Sequence, residues 1–190
     1  MFTINFDANS AYAYVDGGGW NTSCDNGTTS SSAGVRISGG TSIVKNIAVS
    51  STGGTGNNND GILAQNDYNR IDNVLVWDAD RYGINCAGAY NSVLNCVVSD
   101  SDLIGIRLTD QPNHTCTGNI VKGGAGTGIQ VQSTGDNSVI TGNLVYGTTG
   151  NTIQLDSGGD NCVVVGNRTD GAISNSSTGS TVGNNDETGF

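Results

Sequence analysis

One proline (Pro112), one histidine (His114), one glutamate (Glu187) and a charged fraction of only 13% bound this 190-residue chain before any pattern is sought. Disordered chains are rich in charge and proline, so the scarcity of both argues for a packed fold. The seven basic residues, Arg36, Lys45, Arg70, Arg81, Arg107, Lys122 and Arg168, are scattered, and the net charge is −10. No stripe exists to neutralise phosphates, so nucleic acid is not an expected partner. No apolar run approaches 18 residues, and the start, Met1 to Asp7, has no basic region followed by an apolar one. Neither a membrane span nor export is expected, and the chain is read as made and left in a cytoplasm. The five cysteines (24, 86, 96, 116 and 162) contain no CxxC pair and are odd in number, which favours reduced thiols over a disulfide framework.

What the chain has in quantity is glycine, 30 residues of it, with much Asn, Ser and Thr, while Val, Ile and Leu recur at fixed places. One register is Gly followed by apolar-x-apolar, beginning at Gly34, Gly61, Gly83, Gly105 and Gly128 and continuing at Thr152. A second is Asn followed by a mostly apolar triplet, at Asn46, Asn73, Asn95, Asn119, Asn143 and, degraded, Asn167. Both advance by 22 to 24 residues after a first step of 27. Between them lies a third short alternating element, such as Asn91-Ser-Val-Leu and Asn137-Ser-Val-Ile.

Three strands of two to four residues per period cannot bury a face alone, so each coil must stack on the next and close three parallel sheets around a narrow core. The predicted inward columns are Val35/Ile62/Ile84/Ile106/Ile129/Ile153 or their alternates Ile37/Ala64/Cys86/Leu108/Val131/Leu155, and a second set, Ile47/Val74/Cys96/Ile120/Leu144. Cys86 and Cys96 thereby become packed thiols. The repeating Asn suits a turn, because it tolerates left-handed backbone and its amide can bond the coil above. Asn46, Asn73, Asn95, Asn119, Asn143 and Asn167 are therefore predicted to form one structural ladder.

Residues 34 to 167, with their Gly-Ile-x-Leu and Asn-x-Val repeats, resemble the parallel β-helix of pectate-lyase-like proteins, polysaccharide-processing enzymes, bacteriophage tailspikes and related virion proteins. The resemblance implies an all-β, single-stranded right-handed parallel β-helix of about six coils with an irregular N-terminal segment. Residues 1–33, with Tyr12, Tyr14 and Trp20, are read as an N-terminal arm or cap, and 34–190 as the β-helix. At the far end Thr181-Val-Gly-Asn184 echoes Val164-Val-Gly-Asn167 at a shortened spacing of 17. That fold hosts lyases, hydrolases, epimerases and inert structural proteins, so it does not decide function.

Among candidate sites, Asp78 and Asp80 lie 22 residues before Asp100 and Asp102, which stacks the pairs. Four close carboxylates would invite Ca²⁺ or acid/base chemistry, with Arg81 the adjacent base that the resemblance to β-helix lyases would require. The competing reading, four turn aspartates splayed into water, is the stronger one. The fold resembles that of the polygalacturonases without their site, since there is no Asp-Asp dipeptide and no Arg-x-Lys, and His114 reads as an ordinary turn residue. Trp20, Trp77, Tyr82, Tyr90 and Tyr146 are candidates for a sugar-binding surface or a subunit interface. No catalytic residue, metal or cofactor is assigned. The expected function is a non-enzymatic virion protein, a homotrimeric bacteriophage decoration or cement protein bound to the major capsid protein or another virion protein. The alternatives are a tailspike or tail-fibre module that binds or cleaves host polysaccharide, and a polysaccharide lyase or epimerase.

Overall fold

A computed structural model of the chain describes residues 33–38, 40–50 and 60–188, together with the strand backbones 4–6, 14–16 and 23–25. The strands come in threes. β1 (Ile4–Phe6), β2 (Tyr14–Asp16) and β3 (Ser23–Asp25) precede six coils. These are β4 (Ala33–Ile37), β5 (Ile43–Lys45) and β6 (Ala48–Ser50); β7 (Asp60–Ala64), β8 (Arg70–Asp72) and β9 (Leu75–Trp77); β10 (Tyr82–Cys86), β11 (Ser92–Leu94) and β12 (Val97–Ser99). They continue as β13 (Ile104–Leu108), β14 (Thr115–Thr117) and β15 (Ile120–Lys122); β16 (Thr127–Val131), β17 (Val139–Thr141) and β18 (Leu144–Tyr146); β19 (Ile153–Leu155), β20 (Val163–Val165) and β21 (Arg168–Thr169). β22 (Ile173–Asn175) and β23 (Thr181–Gly183) begin a further coil. Every third strand pairs in parallel, giving a first sheet from β1 to β22, a second from β2 to β23 and a third from β3 to β21. The pairing of β1, β2 and β3 with β4, β5 and β6 extends the stack into residues 1–33. Tyr12, Trp20 and the other residues of 1–32 outside these three strands lie outside the described residues.

The first sheet explains the glycine register. A Cβ on Gly61, Gly83, Gly105 or Gly128 would run into Val76, Val98, Val121 or Val145 of the third sheet, and also into the carbonyl oxygen at the same position one coil on. After that glycine the strand carries two inward columns, not one of two alternatives. Val35, Ile62, Ile84, Ile106, Ile129 and Ile153 form the first, and Ile37, Ala64, Cys86, Leu108, Val131 and Leu155 the second, all fully buried. The second sheet adds Val44, Ile71, Val93, Cys116, Ile140 and Val164, and the third adds Val49, Val76, Val98, Val121 and Val145.

The corners follow one rule. A residue in the left-handed region turns the chain, and the next residue points inward. Between the second and third sheets the turning residues are Asn46, Asn73, Asn95, Gly118, Gly142, Gly166 and Asn184, with φ of 52 to 69°. Between the first and second they include Tyr68, Tyr90, Asn113, Asn137 and Asn161, and between the third and first Asp78, Asp100, Gly123 and Gly147.

This corner corrects the predicted ladder. Leu94 pairs with Thr117, so Asn95 lies over Gly118, and Cys96 over Asn119. Asn46, Asn73 and Asn95 are turning residues with outward side chains, whereas Asn119, Asn143 and Asn167 occupy the inward position that Ile47, Val74 and Cys96 hold in earlier coils. The predicted ladder is two adjacent columns. For the same reason Ile120 and Leu144 leave the inward set, since Ile120 pairs with Val97 and Leu144 with Ile120 on the outer face of the third sheet. A one-residue slip exchanges the two faces of a strand. The C-terminal echo shifts likewise, with Val182 over Val164 at a spacing of 18.

Candidate functional site

The Asn column inside the fold is continuous. Asn119 Oδ1 accepts from the Cys96 N–H, Asn143 Oδ1 from the Asn119 N–H, Asn167 Oδ1 from the Asn143 N–H, and Asn185 Oδ1 from the Asn167 N–H, at 2.9 to 3.0 Å. The amide groups also bond one another along the stack, Asn119 to Asn143, Asn143 to Asn167 and Asn167 to Asn185. It is a structural element: it satisfies corner N–H groups that have no ladder partner.

A second inward column at the other corner runs Ser42, Asn69, Asn91, His114, Ser138 and Cys162, all buried. His114 is thus not an exposed turn residue, because the turning position there belongs to Asn113. Neither ring nitrogen has a hydrogen-bond partner within normal geometry, and burial holds its pKa below the ordinary histidine value. Burial penalises its charged form, with backbone carbonyls and Asp110 opposing, and it sits in a column whose other members are also buried.

The aspartates stack as their spacing predicts, with Asp78 and Asp100 following the paired residues Trp77 and Ser99. They do not make a centre. Asp78, Asp100 and Asp102 are exposed, and among the described residues no group of three or more His, Cys, Asp or Glu is arranged to hold a metal ion. Arg81 is engaged elsewhere. Its Nε and Nη2 donate to the two oxygens of Asp60 at 2.7 and 2.8 Å, and Asp60 is only 1% exposed. The hydrogen bond to that carboxylate raises the Arg81 pKa further, with burial opposing, so it is no proton acceptor. The cysteines are packed thiols. Burial pushes Cys86 and Cys96 up to about 12, and Cys116 upward for the same reason.

The richest polar surface is the outer face of the first sheet, which the sequence reading did not identify. Its members are the x residues of the last four Gly-apolar-x-apolar repeats, which follow Leu63 in the column: Asn85, Arg107, Gln130 and Gln154 stand one above the next, Asn85 and Gln130 being buried. Asn85 Nδ2 donates to Asp60 at 3.0 Å. Arg107 Nε donates to Gln132 Oε1 at 3.0 Å, Nη2 donates to the same oxygen, and Nη1 lies 3.4 Å from Asn85 Oδ1. Gln130 and Gln154 donate to opposite oxygens of Asp156. Two guanidinium groups lie over the Tyr82 ring, that of Arg81 at 4.5 Å and that of Arg107 at 4.9 Å from its centroid. The signal was a column of planar polar side chains at one repeat position, visible only once the register is known. Tyr82 therefore belongs to this face, while Trp77 lies on the third sheet. Tyr90 stacks on Tyr68, rings 4.7 Å apart and 3° from parallel, and both are exposed.

The stacked three-sheet coil is a recognised family. The chain belongs to the right-handed β-helix region family, whose model matches residues 4–145 and 33–186. No curated protein matches it. The fold suits tailspikes, lyases and structural proteins in general.

Proposed function

We propose that this chain is a non-enzymatic structural protein of a virion, a β-helical decoration or cement protein that assembles as a homotrimer on a bacteriophage shell. The observation that carries the reading is an outward aliphatic row on the third sheet. Leu75, Val97, Ile120 and Leu144 pair in sequence along its outer face, with Trp77 and Tyr146 two residues further along their strands. The first, second and fourth are half-buried and Ile120 is 36% exposed. A parallel sheet with apolar side chains on its outer face is a surface made to be covered by protein. The short connections agree: within 60–188 the longest between strands, 132–138 and 156–162, have seven residues, and none builds a wall beside a cleft.

Light scattering of the full chain against Ile120→Asp tests this. The substitution is on an outward side chain and should leave the circular dichroism of the monomer intact, so loss of the trimer and of binding to capsid shells is the supporting result. A monomeric wild type that ignores shells defeats the reading. The polar face of the first sheet favours a second reading, a tailspike-like module that binds polysaccharide, for which retention on a polysaccharide column without shell binding would be the sign.

A further inference from the structure

The two guanidinium groups on the first sheet are in different electrostatic states. Arg81 is matched by Asp60. Among the described residues Arg107 has no carboxylate within ion-pair distance; the oxygens that hold it are the amide oxygens of Gln132 and Asn85. It is half-buried, and Tyr82 covers one side of it. A fold that removes a guanidinium partly from water and gives it only neutral acceptors leaves its charge uncompensated. Gln132, Asn85 and Tyr82 fix the plane of the fork, so little orientation is left to be lost on binding. Both Nε and Nη2 are committed to Gln132, and the long 3.4 Å contact leaves Nη1 the least satisfied donor.

We propose that Arg107 is the anchor of an anion site on the outer face of the first sheet, which takes a single carboxylate. A planar carboxylate fits the free edge of the guanidinium. The carboxylate is either free or carried by a sugar acid, and the titration below separates the two. The site is independent of the trimer and of any particle, so it stands or falls separately from the structural reading above.

The test is a ¹H–¹⁵N titration of the Arg107 Nε–H signal in the full chain at low salt, with sodium acetate, sodium glucuronate, glucose and sodium chloride as the four probes. A saturating shift with acetate and glucuronate at millimolar concentration, absent with glucose and chloride, is the expected result. Glucuronate binding at least about tenfold tighter than acetate assigns the carboxylate to a sugar acid, and equal binding assigns it to a free carboxylate. Arg107→Gln should abolish the binding seen at neighbouring backbone amides. Should that variant not fold, Arg107→Lys, which keeps the charge and loses the fork, should weaken binding about tenfold or more. No saturating shift with either carboxylate, or unchanged binding in a folded Arg107 variant, overturns the proposal.

Discussion

Replacing Asn143 by Ala tests the division of the asparagines into two columns. Asn143 Oδ1 accepts from the N–H and the side-chain amide of Asn119, and its Nδ2 donates to the Cys116 carbonyl and to Asn167 Oδ1. The substitution strands at least one backbone N–H and one carbonyl inside the fold. At about 1 to 3 kcal/mol for each orphaned group, the loss is roughly 2 to 6 kcal/mol, a large part of the ~5 to 15 kcal/mol that holds a typical domain together. Asn95→Gly is the matched control. Asn95 is exposed, at φ 53°, and glycine accepts that backbone freely, so its effect should stay within about 0.5 kcal/mol. Urea unfolding followed by far-ultraviolet circular dichroism measures both, with the slope checked for equality before midpoints are compared. Equal losses in the two variants would refute the two-column assignment and restore the single ladder suggested by spacing.

Three further predictions follow from buried features. A Cβ on Gly105 meets the Gly128 carbonyl oxygen at 2.7 Å as well as the Val121 side chain, so Gly105→Ala should destabilise by more than about 3 kcal/mol, and pairing it with Val121→Ala should restore only part of the loss because the carbonyl remains. Both are read from the same urea midpoints. His114 has its pKa lowered in the fold, so the unfolded chain binds the extra proton: its contribution is fully present above the unfolded value of about 6.5 and is lost as pH falls below it, until the folded value is passed. Thermal midpoints between pH 7 and 5 should fall more steeply for the wild type than for His114→Asn, and parallel curves would exclude the histidine as the cause. Cys86, Cys96 and Cys116, with thiols held up by burial, should resist iodoacetamide at pH 8 until urea unfolds the chain, which peptide mapping detects.

Much of the first sheet is legible in the sequence because glycine marks a point where two backbones nearly touch, so its spacing reports the coil itself. Asparagine is a poorer marker here. It serves both as a turning residue and as an inward amide at the adjacent position, and an alignment on Asn alone therefore passes from Asn95 to Asn119 without registering the shift of one residue. That slip misplaced Ile120 and Leu144, which face outward. His114 escaped because the turning position was credited to it rather than to Asn113. The polar face of the first sheet was illegible for another reason: Asn85, Arg107, Gln130 and Gln154 share no residue type, and only stacking makes them neighbours. The stacking of the aspartate pairs was legible because both coils have the same length there, and Asp78, Asp100 and Asp102 are exposed.

From β5 onward the corner between the second and third sheets consists of two residues, at 46–47, 73–74, 95–96, 118–119, 142–143, 166–167 and 184–185. Within 60–188 the other two connections vary, from three residues at 170–172 to six at 147–152 and from five at 65–69 to seven at 156–162. From β5 onward the length drift between coils is thus absorbed on two edges of the prism, and the third is a straight seam. Insertions, grafted epitopes or tags should be accepted along the two elastic edges, while a single added residue at the seam would throw both adjoining sheets out of step for the rest of the column.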